Sequence, residues 1–152
     1  MARSPFSGMM FRMDAQQPGG AMVAVYSHSP DGIRYLLLHN SDYAPGEAGD
    51  WAWGTPSGCR EEGEDISACA ARELYEESGI RGEPEPVEIE NINWAVFTLQ
   101  VPWGTRVELS TEHNDFAWVT VEDTRTMCRP EGLAISIRTA VQAVDDSTTR
   151  SS

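Results

Sequence analysis

Three carboxylates, Glu73, Glu76 and Glu77, stand at i, i+3 and i+4 of a predicted helix. At about 100° per residue they occupy an arc of roughly 100° on one side of it. Ala71, Leu74 and Tyr75 point away from that arc, so the helix can bury one face and present acid on another. Like charges at these spacings repel and destabilise an isolated helix. A hard divalent cation with oxygen ligands would offset the repulsion. The competing reading is a solvated acidic face, the usual fate of helix glutamates. It loses ground because no basic residue follows the three acids at i+3 or i+4 before the predicted helix end at Gly79. Arg72 is the near partner and can reach Glu76 across one turn. A calcium loop of the EF-hand kind is excluded, since its D-x-D-x-D-G spacing is absent.

The elements that must position these acids are legible around them. Residues 58–63 read as a loop, and Asp65 is placed to cap a helix that runs to about Ser78. Gly79 sits where a left-handed residue ends a helix, and Ile80 supplies the accompanying apolar contact. Upstream, residues 21–26 form an apolar run suited to a buried strand, residues 27–32 carry Ser-Pro-Asp-Gly turn chemistry, and residues 34–40 read as its hairpin partner. Residues 40–50 form an acidic, Gly- and Pro-containing loop, and Pro56 stops any central strand there.

Downstream, residues 82–86 are a linker and residues 87–101 the longest strand-like segment, with Ile89, Trp94, Val96, Phe97 and Leu99 as β-formers. Residues 106–109 suggest a further strand, residues 110–115 a polar loop, and residues 116–119 a short strand. Residues 121–127 suggest one or two helical turns. Pro130 fits the first turn of a last helix, whose Leu133, Ile137, Ala140, Val141 and Val144 share one face. Residues 1–20 are expected to be a flexible arm, 21–145 the domain, and 146–152 a frayed tail. Helices packed on a mixed sheet, an α/β fold, follow from this order.

At 152 residues the chain reads as one domain. A net charge of −13 excludes a nucleic-acid scaffold or an anionic membrane as the main partner. All 11 basic residues are arginine, so a phosphate contact would use a planar, bidentate donor. Cys59, Cys69 and Cys128 lack zinc-ligand spacing and are expected as free thiols in a reducing cytoplasm. No apolar run approaches a membrane span, and the N-terminal segment makes a poor signal peptide. Cytoplasmic is the default location.

Written out, the central stretch is Gly58, five residues, Glu64, seven residues, then Arg72-Glu73-Leu74-Tyr75-Glu76-Glu77-Ser78-Gly79-Ile80. It resembles the Nudix box at every fixed position, and the chain is thereby identified as a member of the Nudix hydrolases. The preceding Trp53-Gly54-Thr55-Pro56-Ser57-Gly58 is similar to that family's W-x-x-P-G-G lead-in, with Ser57 in place of the commoner glycine. The resemblance implies an α/β/α sandwich around a mixed sheet. It also implies hydrolysis of a nucleoside diphosphate-linked substrate by water attack at phosphorus, with Mg²⁺ or Mn²⁺ as cofactor. By the same resemblance Glu73, Glu76 and Glu77 would ligate the metal, with the Gly58 carbonyl as a frequent further ligand. Arg72 would hold a box glutamate, and Glu64 would brace the loop against the helix by a salt bridge.

Residues 111–119 (TEHNDFAWV) are similar to an E-H-x-x-[FY]-x-W-V segment of several Nudix subgroups, in some of which a loop glutamate binds metal or acts as base. That makes Glu112 a candidate for either role, with an ordinary loop carboxylate as the alternative. His113 is expected as a loop hydrogen-bonder. Which carboxylate takes the water's proton is left open. Tyr43 and Trp51 are candidate nucleobase platforms in or beside the loop leading to the site, whereas Trp94 and Trp118 are expected to pack. Arg60 is a candidate phosphate contact, against the commoner fate of a surface ion pair.

The segments together favour a nucleoside triphosphate or dinucleoside polyphosphate pyrophosphohydrolase. The alternative is a Nudix-fold domain that binds or senses a nucleotide without turnover; a third reading is a structural partner with an acidic, solubilising face. Members of the family often form homodimers, and no segment here identifies an interface.

Overall fold

The computed structural model describes residues 18–88 and 93–151, the last four by backbone alone. Two strands set the frame. β1 (Gly20–Ser29) and β2 (Gly32–Asn40) are apolar runs whose centres are buried on both faces. They pair antiparallel only from Tyr26↔Tyr35 to Ser29↔Gly32. The turn between them is held by Ser29, whose Oγ accepts from Asp31 N and donates to Gly32 O. Beyond Tyr26 the two strands diverge, and β3 (Trp53–Gly54) and β4 (Ser57–Cys59) fill the opening. β3 pairs with Leu38 and His39, β4 with Gly20, Ala21 and Met22, and Val23 N donates to the Pro56 carbonyl at 2.9 Å between them. Pro56 thus separates two short strands, as its missing N–H requires.

On its other side β1 runs parallel to β6 (Trp94–Gln100), and β6 pairs antiparallel with the edge strand β5 (Glu85–Val87). β7 (His113–Val119) pairs antiparallel with β2. The result is a seven-stranded mixed sheet.

Alternation along the strands divides the core in two. Ala21, Val23, Val25, Leu36, Leu38 and Phe97 meet α1 (Ile66–Ser78) through its Cys69, Ala70 and Leu74. Met22, Ala24, Tyr35, Leu37 and Val96 meet α3 (Glu131–Ser151) through Ile137, Ala140, Val141 and Val144. A short α2 (Val121–Met127) enters through a capping box between Thr120 and Asp123. This is the expected α/β/α sandwich. Leu74 is fully buried, which contributes about 2–3 kcal/mol to seating α1 on the sheet.

The caps of α1 are those read from the sequence. The Asp65 carboxylate accepts from Ser67 N at 3.0 Å, and Gly79 takes φ 74° while its N–H bonds Tyr75 O at 2.9 Å. Ile80 is buried behind it.

Other expectations are corrected. The single strand over residues 87–101 is two strands, β5 and β6, folded back with Glu85↔Thr98 and Val87↔Val96; Ile89 lies outside the described residues. Residues 106–109 form no strand: Val107 and Leu109 pack on the α1-side core while Glu108 N bonds Ser78 O. Trp94 is 38% exposed rather than packed, its ring standing over Gly20, where a Cβ would collide with it. Most of the expected arm lies outside the described residues, but β1 starts at Gly20, and Gly19 N bonds Asn93 O. α3 continues to Ser151 past the expected tail boundary, since no Gly or Pro after Gly132 interrupts it.

Candidate active site

Arg72, nearly two turns into α1 and half-buried, organises the acids. Its Nε and Nη2 fork onto the two Glu64 oxygens at 2.8 and 2.9 Å. Nη1 meets Glu73 at 2.7 Å and Glu76 at 3.3 Å, and Nη2 also donates to the Cys59 carbonyl at 3.0 Å. One guanidinium therefore ties the loop, β4 and the helix together. The Arg72 hydrogen bonds bring the Glu64 carboxyl down to about 2. Glu64 also accepts from Glu61 N at 3.0 Å, which closes the loop on itself.

The three box glutamates are not equivalent. Glu76 is exposed. Glu73 and Glu77, one turn apart on the stripe facing β4, are buried. Burial raises the Glu73 carboxyl above its ordinary value, partly offset by Arg72, while the charges of Glu76 and Glu112 add to the rise. Burial is also the main reason Glu77 is pushed up to about 8; the charges of Glu73 and Glu112 and a side-chain hydrogen bond with Glu112 add to it. The Ser57 amide opposes this by donating to Glu77 Oε1 at 2.9 Å. Ser57 has no left-handed backbone, so the position tolerates serine.

Gly58 brings backbone against carboxylate: a Cβ there would overlap the Glu73 carboxyl group. The Gly58 carbonyl, in the ladder that pairs Gly58 with Ala21, also accepts the weak Sγ–H of Cys69 at 3.7 Å. Arg81, four residues after Glu77, lies over the Tyr75 ring at 4.2 Å rather than pairing with an acid.

Glu112, in the loop before β7, reaches the same place from the opposite side. Its backbone is fixed by Ser41 N→Glu112 O at 3.0 Å and by Glu112 N→Ser110 Oγ at 3.3 Å. Its side chain meets that of Glu77 in the lining of a cavity of about 500 Å³ that Asn40, Ser41, Asp42 and Thr111 also wall. A larger cleft of about 880 Å³, between β5 and α3, contains none of the carboxylates. His113 differs from expectation: Nδ1 is buried without a partner, and burial lowers its basicity.

The residues expected to touch substrate separate. Trp51 is 58% exposed and is a non-glycine residue at φ 65°, held by Trp51 N→Arg129 O at 2.7 Å. Tyr43 is half-buried against Gly49 and closes its own loop by donating to Asp50 O at 2.6 Å. Arg60 donates to the carbonyls of Pro18 and Glu64 at 3.2 and 3.1 Å, a bracing role. The bond from the Ser57 amide to Glu77 and the residue 40–42 wall were visible only once β4 and the loops were placed.

Among the described residues no ready-made cluster of three His, Cys, Asp or Glu ligands is present, because Glu73 is turned to Arg72. The donor set nonetheless suits a hard cation: three carboxylates, a fourth on the facing loop, and the Gly58 backbone held against Glu73 by the absence of a side chain.

The NUDIX domain profile matches residues 18–141, a span that contains the box, the lead-in and Glu112. The chain belongs to the Nudix family. This domain is also 31% identical over 144 residues to an octanoyltransferase of Myxococcus xanthus, covering 85% of this chain and 38% of that protein. It thus spans about two-fifths of the length of that curated relative. The Nudix fold recurs in an Ap4A hydrolase of C. elegans, solved as a binary complex, at TM-score 0.66 and 23% identity, covering 84% of this chain and 97% of that one. It recurs again in the NUDIX domain of Shewanella oneidensis NrtR, complexed with ADP ribose, at TM-score 0.64 and 14% identity, covering 93% and 99%. Among the described residues, no helix is long and apolar enough to cross a membrane.

Proposed function

We propose that this Nudix domain is a Mg²⁺-dependent pyrophosphohydrolase that cleaves a phosphoanhydride of a nucleoside triphosphate or dinucleoside polyphosphate by water attack at phosphorus. The observation that carries the reading is the convergence of the buried Glu73 and Glu77 with Glu112 beside the Gly58 backbone. Glu73, Glu76, Glu77, Glu112 and the Gly58 carbonyl would hold the cation, with Mn²⁺ as a substitute. Once bound, it would neutralise the diphosphate and acidify water. Arg72 keeps Glu73 and Glu76 aligned, and Glu77 and Glu112 form the pair that can accept the water's proton. Trp51 offers an exposed ring for the nucleobase, a role in which Tyr43 and Arg60 would take only a supporting part through the loops they brace.

One of the two solved neighbours is an Ap4A hydrolase and the other was solved in complex with ADP ribose, both in keeping with a nucleotide substrate. Octanoyl transfer is not proposed, because the match covers only 38% of that protein. The net charge of −13 disfavours nucleic acid as partner, and the free thiols suit the cytoplasm.

The test is hydrolysis of a panel of nucleoside polyphosphates with Mg²⁺, read by mass spectrometry, for the wild type and Glu73→Gln. A loss on the order of 100-fold or more is expected in the variant. Wild-type turnover by the variant would overturn the site. Nucleotide binding by calorimetry without turnover in any divalent metal would favour a sensing domain instead.

A further inference from the structure

We propose that His39 is a positioning residue of this site, whose doubly bonded ring holds the loop of residues 41–51 and the start of β7 in the arrangement that presents Glu112 to Glu77. The inference rests on the reading of Glu77 and Glu112 given above. His39 is fully buried near the end of β2. Its Nδ1 lies 2.6 Å from Asn114 Oδ1, and its Nε2 lies 2.8 Å from the Glu47 carbonyl oxygen. Trp53 and Tyr43 pack edge-on to the ring at centroid distances of 4.6 and 6.4 Å.

Asn114 owes its reach to a break in the ladder. Opposite β2 the pairing jumps from His39↔Asp115 to Asn40↔His113, leaving Asn114 as the extra residue on β7. A bulge of this kind re-aims a side chain. Here the side chain meets His39 on one end and donates Nδ2 to the Tyr43 carbonyl at 3.0 Å on the other. That second bond fixes the amide orientation, since rotating the group would set two acceptor oxygens against each other.

Both His39 nitrogens therefore face acceptors. A carbonyl or amide oxygen gives no hydrogen, so the two bonds coexist only with a proton on each ring nitrogen. A neutral ring would satisfy one tether and lose the other. The tethered residues are 8 and 75 positions away in sequence, and the segments they belong to line the Glu112 cavity through Ser41 and Asp42 on one side and His113 on the other. Ser41 joins the walls by donating to the carbonyls of Glu112 and Thr111 at 3.0 and 2.9 Å. Glu112 is thus placed through Ser41 and Asn114, and both depend on the segment that His39 anchors.

The test combines a spectroscopic and a kinetic arm. In metal-free wild type, ¹⁵N spectra of the His39 ring, assigned with His39→Gln, should show both nitrogens carrying a proton. A single proton overturns the proposal. Asn114 is exposed, so its variants should fold. Asn114→Ala should lower kcat on the order of tenfold and speed amide exchange over residues 41–51. Asn114→Asp keeps the acceptor for His39 but sets its second oxygen against the Tyr43 carbonyl, so it should recover only part of the loss. Unchanged kcat in both His39→Gln and Asn114→Ala overturns the positioning role. If the wild type hydrolyses nothing, the functional reading fails by itself, and the ring protons with the exchange rates decide the tether: two protons and faster exchange support it, one proton refutes it.

Discussion

Replacing Glu77 by glutamine should stabilise the metal-free protein at alkaline pH while abolishing its activity. Glu77 is 6% exposed and its carboxyl is pushed up to about 8, against an ordinary 4.5, chiefly by burial. The folded chain therefore holds this proton more tightly than the unfolded chain does. Stability from that preference is full below about 4.5 and is lost as pH rises through about 8. Each pH unit in the middle of the window costs about 1.4 kcal/mol, less at its ends, so moving from pH 5 to pH 8 removes about 3–4 kcal/mol through Glu77 alone. That is a large part of the 5–15 kcal/mol typical of a domain. Glutamine keeps the acceptor for Ser57 N and presents an N–H₂ where Glu77 bonds Glu112, so it is satisfied without titrating. Urea unfolding of both proteins in chelator, at pH 5 and pH 8, measures the effect; taking the difference between them cancels the other groups. The variant's advantage should grow by about 3–4 kcal/mol between the two conditions. An advantage that stays constant would refute the assignment of a buried, proton-holding Glu77.

Arg72→Ala leaves the buried Glu73 and the Glu64 fork without their cation, and should cost about 2–4 kcal/mol in urea unfolding and most of the activity. Arg72→Lys should not restore function, because a single ammonium cannot span Glu64, Glu73 and the Cys59 carbonyl. Gly58→Ala forces a methyl into the Glu73 carboxyl, so kcat should fall sharply with a stability loss of about 1–3 kcal/mol. Trp51→Gly relieves a left-handed non-glycine backbone and should raise stability by about 1 kcal/mol, while KM for a nucleotide rises several-fold; an unchanged KM would remove Trp51 from the substrate site.

What the sequence made legible was whatever local rules decide. Asp65, Gly79 and the 3.6-residue period locate α1 because a cap, a left-handed residue and a buried stripe act within a few residues of themselves. Helices packed on a mixed sheet followed from the order of buried strands and amphipathic helices, and the resemblance to the Nudix box implied the sandwich. The misreadings arose where tertiary partners decide. Residues 87–101 are rich in β-formers whether they make one strand or two, and pairing chose two. The three glutamates are alike in type and spacing, but β4 buries two and leaves Glu76 in water. His39 reads as one polar letter in an apolar strand, and its meaning lies in an asparagine 75 residues away.

Three acids crowded on one turn need three ways of losing charge, and the metal-free fold uses a different one for each. Arg72 takes Glu73, water takes the exposed Glu76, and a proton takes Glu77. The third is the arrangement in which an arriving cation displaces a proton. Loading the site with Mg²⁺ at pH 7, below the Glu77 value of about 8, should therefore expel close to one proton per chain. At pH 9 the carboxyl is already ionised in the free protein, and the release should fall towards zero while affinity rises. Calorimetric titrations of Mg²⁺ in buffers of different ionisation enthalpy count the protons directly. Glu77→Gln should show none at either pH. Release that is absent at pH 7 would mean that Glu77 is not the buried proton store, and the division of charge among the three glutamates would have to be redrawn.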